Sequence, residues 1–172
     1  MIVFPDLDHR DGERRPRVLS PELEADVDYA AVSTLPVLVS APPTAAAWLA
    51  RLIYLRSGGP VGPFRVFDPA RSHVPFGDHL WRMIDESRLS GAPGMLFIRD
   101  VDTAGISIQI ELRDWLTRDY RTRLAPRVVA STSVWLPDLI AMGRFDRFLY
   151  DRLSAIHIKL IDPADERARA VM

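Results

Sequence analysis

Short apolar or β-branched runs alternate along this chain with longer stretches in which apolar residues recur every three or four positions. The short runs are Val37-Leu38-Val39, Phe64 to Phe67, Met95 to Ile98, Pro126 to Ala130 and Ile156 to Leu160. Each has strand length. Between them, residues 44–56 (TAAAWLARLIYLR) place Trp48, Leu49, Leu52, Ile53 and Leu55 at helical spacing among strong helix formers. Residues 77–89 do the same with Leu80, Met83, Ile84 and Leu89. Ser20-Pro21 followed by Glu22 and Glu24 marks a helix start: a hydroxyl at the cap, proline at the first position and acids in the first turn. One stretch reads both ways. Ile106, Ile108, Ile110 and Leu112 alternate strictly, which is a strand period, whereas Leu112, Trp115 and Leu116 favour a helix. Strands of this length separated by helices predict an α/β domain with a mainly parallel sheet. Residues 1–20, rich in charge and holding two prolines, are expected to form a flexible arm, with the domain spanning 21–172.

Composition narrows this picture little. The 172 residues are 48% hydrophobic and 26% charged, with a net charge of −1, as expected of one globular domain. Neither the charge nor any interleaving of aromatic with basic residues points to direct nucleic-acid binding. The sequence has no cysteine, which excludes disulfides, thiol catalysis and cysteine-held zinc and fits a cytoplasmic location. No run approaches the roughly 20 apolar residues of a membrane span, and the early acids argue against a signal peptide. Among the four histidines, only His73 and His79 fall in one segment, so no metal-ligand spacing emerges and no metal is expected. No nucleophile-elbow signal is present either.

In a parallel α/β sheet, ligands bind beyond the carboxyl ends of the strands, so the residues that follow each strand carry the chemistry. Those here are SAPPTAAAWLARLIY (40–54), GPFRVFDPA (62–70), GMLFIRDVD (94–102), RVVASTS (127–133) and GRFDRFLYDRL (143–153). In that order they resemble five blocks of the AAA+ ATPase domain of sigma-54-dependent transcription activators: the phosphate loop GExGTGKELLARAIH, then GPFVAVNCAA, GTLFLDEIG, RIIAATN and GRFREDLYYRL. The last block is the most similar, and the set covers about residues 30–162. The resemblance implies a three-layer α/β P-loop core with five parallel strands, and it places a helix over the ambiguous Ile106 stretch.

It also implies which residues would carry the family's chemistry. The phosphate loop's glycine positions fall on Ser40, Pro43 and Ala45, its threonine on Thr44, and its lysine on Ala46, or on Ala47 if the register shifts by one. A phosphate cradle needs successive backbone N–H groups and close approach, and Pro42 and Pro43 have no N–H. The Asp-Glu pair that holds magnesium and orients water falls on Arg99-Asp100, leaving Asp100 as the weak catalytic candidate. The sensor positions fall on Thr132 and Ser133. Of two arginines in the finger block, the first falls on Asp146 and the second on Arg152, the position that would act on a neighbouring subunit's nucleotide. Each has a plainer alternative. The loop residues then form a corner kept for folding, Arg99 and Asp100 are solvated at a strand end, Thr132 and Ser133 are turn residues, and Arg152 is a surface charge. The family's sigma-contact loop has no counterpart between Asp68 and Leu96, and the sequence carries neither the helical lid nor a helix-turn-helix segment after the last strand.

The resulting expectation is a catalytically degenerate domain of this type: a non-hydrolysing regulatory or interaction protein linked to transcription. The alternative is a residual ATP/ADP binder without hydrolysis. No resident cofactor is expected, with ATP or ADP the candidate ligand. Expected partners are an activator ATPase, the transcription machinery or a second copy, with no direct nucleic acid and no membrane.

Overall fold

A computed structural model of the protein describes residues 19–58, 62–118 and 125–160. Chain order is α1 (Pro21–Val32), β1 (Val37–Ser40), α2 (Pro43–Arg56), β2 (Phe64–Phe67), α3 (Phe76–Ser90), β3 (Met95–Ile98), a 3₁₀ turn at Val101–Thr103, α4 (Ile106–Arg118), β4 (Arg127–Thr132), α5 (Leu136–Ala141), α6 (Arg147–Leu153) and β5 (Ile156–Lys159). Among the described residues the strands form one sheet in the order β2-β3-β4-β1-β5. Every pairing is parallel, with Val37 opposite both Val129 and Ile156 and Leu96 opposite Val128.

Strand alternation sorts side chains onto two faces. Leu38, Leu96, Ile98, Val128 and Ala130 point into one core with α3, α4, α5 and α6. Val37, Val39, Met95, Phe97 and Val129 point into the other with α1 and α2. Both faces are covered, as parallel sheets require, and the expected three layers are present. Leu112, Trp115 and Leu116 are buried on α4, while Ile106 and Ile110 are exposed. Burial at helical spacing therefore decides the ambiguous stretch, and the alternating isoleucines are not a strand.

Local signals account for the element ends. The Ser20 hydroxyl accepts from the Leu23 N–H at 3.3 Å, and Pro21 stands in the first turn of α1. Residues 1–18 of the expected arm lie outside the described residues, while Leu19 packs against the α1/α2 core. Two glycines are required where β2 and β3 begin. A Cβ on Gly62 would lie 2.7 Å from the Gly94 nitrogen, and one on Gly94 would lie 2.8 Å from the Met83 methyl carbon and would also collide with the Pro63 carbonyl. The glycines of GPF and GML thus let two backbones meet.

At the amino ends of the strands, Arg127 ties three elements together. Its guanidinium donates to the Ala31 carbonyl at 2.7 Å, to the Ser57 hydroxyl at 2.8 Å and to the Ala30 carbonyl. It thereby satisfies carbonyls in the last turn of α1, which has no basic residue of its own. Arg127→Ala is expected to lower unfolding free energy by roughly 2–4 kcal/mol, since charge-assisted hydrogen bonds contribute about 1.5–3 kcal/mol. Gly94→Ala is expected to cost about 1–3 kcal/mol through overpacking. Urea denaturation measures both; a change below about 0.5 kcal/mol, the level of neutral surface substitutions, would contradict either assignment.

Candidate functional site

The carboxyl ends of β1, β3 and β4 meet at the centre of the sheet, where the order reverses from β1 to β4. The chain leaves β1 under tight control. The Ala41 N–H donates to the Thr132 carbonyl at 3.1 Å, and the Ser40 carbonyl accepts from Leu160 at 2.7 Å. Only Ala41 and Pro42 separate the strand from α2, which begins at Pro43. A phosphate loop sets an eight-residue glycine-rich run between strand and helix. In the corresponding stretch, Ser40 to Ala47, the residues from Pro43 onward are helical. The expected helix over 44–56 therefore starts one residue earlier, and Pro43 stands inside it. Proline is well suited to a first helical turn, where its missing N–H would have had no partner.

This helix engages backbone N–H groups from its first turn onward. The Ala46 N–H donates to the Pro42 carbonyl at 2.9 Å, and Pro42 and Pro43 offer none. Only the Thr44 and Ala45 N–H groups of the first turn are left without helical partners. Ala46 is fully buried, while Thr44 is exposed and Ala47 half-buried. Ser40 is buried too, and its hydroxyl pairs with His157 Nε2 at 2.8 Å.

Asp100 follows β3 with φ 43°, the left-handed region, which Asp tolerates better than most residues. Its N–H donates to the Ser131 hydroxyl at 3.1 Å. Burial raises its carboxyl above the usual range, and the neighbouring Asp102 and Asp68 add to this, while Arg99 and Arg71 oppose it. Asp102 accepts from the Thr132 hydroxyl at 2.8 Å, which also ties to the Val134 backbone. Thr132 is thus engaged in closing the turn after β4, and Ser133 beside it is half-buried. Among the described residues no group of three His, Asp or Glu side chains is spaced to hold a metal ion.

The finger segment is built differently at its two positions. Asp146 caps α6, accepting from the Leu149 N–H at 2.7 Å and from Arg113 at 3.0 Å. Its own N–H donates to Gln109 Oε1 at 2.8 Å, and Gln109 Nε2 donates to the carbonyls of Ala104 and Arg144. Gln109 is 2% exposed, so two backbone segments, at Ala104 and at Arg144 to Asp146, meet on one buried amide. Arg152 lies in the last turn of α6, exposed and without an ion pair to a described residue. Since α6 leads into the amino end of β5, Arg152 stands at the far end of the sheet from Ser40, Asp100 and Thr132.

The structure thus gathers Ser40, Thr44, Ala45, Asp100, Thr132 and Ser133 at the strand ends and leaves Arg152 apart. Sequence reading missed the Ser40–His157 pair, the Gln109 clamp and the Asp102–Thr132 bond. The signal for the first two was a polar residue on an apolar stripe: His157 between Ile156 and Ile158, and Gln109 about one turn before Leu112 and two before Trp115.

A family model described as the sigma-54 interaction domain matches residues 18–162. Among solved structures, NtrX from Brucella abortus in complex with ATP is 20% identical with a TM-score of 0.65; the match covers 92% of this chain and 41% of that one. The P-loop NTPase domain of the sigma-54 transport activator from E. coli is 17% identical with a TM-score of 0.51, covering 78% of this chain and 94% of that one. The Holliday junction branch migration motor RuvB from Thermotoga maritima is 18% identical with a TM-score of 0.53, covering 81% and 43% respectively. This chain therefore spans about two fifths of NtrX and most of the E. coli domain. At these identities the likeness establishes the fold. No curated protein sequence matches the chain. Among the described residues no helix is long and apolar enough to cross a membrane.

The buried Ser40–His157 pair yields a pH prediction. Burial, with Lys159 adding to it, lowers the imidazole from 6.5 to about 4. The folded state therefore holds His157 neutral while the unfolded chain protonates it below 6.5. Its contribution to stability is intact above pH 6.5 and is lost progressively as pH falls toward 4. Compared with His157→Asn, the unaltered protein should lose more stability between pH 7 and pH 4 in thermal or urea unfolding. Parallel pH profiles for the two would refute this role.

Proposed function

The chain belongs to the sigma-54 interaction domain family of AAA+ P-loop proteins, and we propose that it serves there as a non-hydrolysing interaction protein in transcription regulation. The observation that carries this reading is the junction of β1 with α2. Ala41 and Pro42 form the whole connection, and α2 is already helical at Pro43. Two consecutive prolines and an Ala46 N–H committed to the helix leave too few donors for a triphosphate. No lysine stands at Ala46 or Ala47 to reach the terminal phosphates.

The other positions support the same reading independently. Arg99 replaces the magnesium-holding acid, and a guanidinium is no ligand for a hard cation. Asp146 replaces a finger arginine and is committed to capping α6. Arg152 is exposed and remains available to act on a neighbouring, active ATPase. On this view the domain contributes surface and shape to an assembly with an activator ATPase or another part of the transcription machinery, without turnover. A second reading, weak nucleotide binding without hydrolysis, rests on the Thr44 and Ala45 N–H groups at the start of α2.

A magnesium-ATP titration followed by melting temperature separates the two. The expected result is no saturable rise up to millimolar nucleotide. Binding at 100 times the dissociation constant would stabilise the fold by about 2.7 kcal/mol, a shift easily read. A saturable rise in the submillimolar range would replace the first reading with the second. Phosphate release abolished by Asp100→Asn would overturn both.

A further inference from the structure

Beside the edge strand β2, separated from β1 by β3 and β4, side chains of β2 and α3 enclose a cavity of about 160 Å³. It is lined by Arg65, His79, Arg82, Met83 and Glu86. The sequence accounts for this grouping. Positions 79, 82, 83 and 86 recur every three or four residues and so share one face of α3. Arg65 stands opposite Leu96, which points into the core on the α3 side of the sheet, so strand register turns Arg65 toward the same helix. Met83 is buried and gives the cavity an apolar wall.

The bonds already formed leave this space short of acceptors. Glu86 is the one acid that lines it, and its two oxygens receive Arg65 Nε at 2.9 Å and Arg65 Nη2. Arg65 Nη1 has no partner among the described residues. Arg82 is exposed and forms no ion pair with a described residue. Asp85, one turn farther along α3, is bridged instead to Arg88 at 3.3 Å. His79 Nδ1 is buried without a hydrogen-bond partner, and its ring is set edge-on to Phe67 with centroids 5.3 Å apart. A buried nitrogen left unsatisfied costs free energy. Two guanidinium groups therefore stand against one carboxylate, and three nitrogen-bearing side chains around one small space have bonding capacity left over.

We propose that this cavity binds a phosphate group, as the free ion or as the end of a phosphate monoester. Guanidinium N–H groups match phosphate oxygens in charge and geometry. Donors on three side chains from two elements suit the several oxygens of phosphate better than the two of a carboxylate. The volume restricts the ligand to a group of a few heavy atoms, since sites for drug-sized molecules run to roughly 300–1,000 Å³. The site is distinct from the β1–α2 junction and does not depend on whether that junction holds a nucleotide.

Calorimetric titration with inorganic phosphate, at constant ionic strength with chloride as the balancing ion, should show saturable binding. Arg82→Gln should weaken it at least about tenfold, the scale of one lost charge-assisted hydrogen bond. His79→Phe keeps an aromatic ring against Phe67, removes the nitrogens and should also weaken it. Arg88→Gln, on the same helix but outside the cavity, should leave the affinity unchanged, which separates a built site from general positive charge. Arg82 and Arg88 are both exposed, so neither substitution endangers the fold. Glycerol phosphate distinguishes the two sources: binding as tight as the free ion or tighter assigns the site to a monoester, and weaker binding assigns it to the ion. Stabilisation by magnesium-ATP that vanishes in Arg82→Gln would belong to this cavity, and stabilisation retained there would belong to the β1–α2 junction, so the two readings fail separately. No saturable phosphate binding, an unchanged affinity in Arg82→Gln, an equal loss in Arg88→Gln, or acetate bound as tightly as phosphate would each overturn the proposal.

Discussion

Strand β1 is hydrogen-bonded along both edges, to β4 and to β5, and its side chains alternate between the two cores. The ladder does not stop where the strand ends. Ala41 still donates to Thr132, and the Ser40 carbonyl still accepts from Leu160. A residue held on both sides cannot swing out into a wide loop. The next residues are prolines, whose fixed φ near −65° suits a helix start. Sheet pairing and proline geometry together send the chain straight into α2, which then packs Leu49, Ala50 and Ile53 against the sheet. The arrangement of the candidate site follows from this one junction: Pro42 and Pro43 offer no N–H, the Ala46 N–H is used by the first turn of the helix, and the Thr44 and Ala45 N–H groups are left without helical partners.

The glycines show the same division of labour. Gly62 and Gly94 stand where two backbones nearly touch, and any side chain there would strike a neighbour. Those positions keep glycine. At the phosphate loop, glycine serves a ligand instead of the fold, and there the chain has Ser40, Pro43 and Ala45. Ser40 has even become part of the core, with its hydroxyl on His157. Asp146 follows the same logic, joined to Leu149, Arg113 and Gln109. Both side chains are bonded into the structure.

What the sequence made legible was local. The strand runs and the Ser20-Pro21 helix start appear in the structure within one or two residues, because periodicity and capping act over a few positions. The resemblance to a known family settled the Ile106 stretch, where period alone misled: Ile106 and Ile110 are exposed on a helix, and only Leu112, Trp115 and Leu116 reveal the buried stripe. The junction itself was half legible. Two prolines after a strand announce lost donors, but that helix would begin at Pro43 depended on the hold of β4 and β5 on β1. The Ser40–His157 bond joins residues 117 apart, diagonal across a register that no local pattern specifies. Gln109 and Arg127 likewise act on backbone groups brought near by tertiary packing; the apolar stripe around Gln109 hints that it is buried but not at what it binds, and nothing in its own neighbourhood marks Arg127.

Electrostatics at the strand ends adds a further consequence. Asp68, Asp100 and Asp102 lie close enough together for the other two to raise the Asp100 carboxyl, with Arg99 and Arg71 as the opposing charges. In a working P-loop site such acids are balanced by a bound metal ion and a lysine. Here the opposing charges come from the chain itself, through Arg99 and Arg71. One unit charge at about 6 Å, with an effective dielectric near 20, is worth roughly 3 kcal/mol, so neighbouring carboxylates at such separations disfavour one another's ionised form. The two arginines offset this only in part, and Arg71 is already drawn to Asp68 at 3.8 Å. The charge balance at the strand ends is therefore set by side chains on three neighbouring segments: the one that follows β2, the one that follows β3, and the 3₁₀ turn.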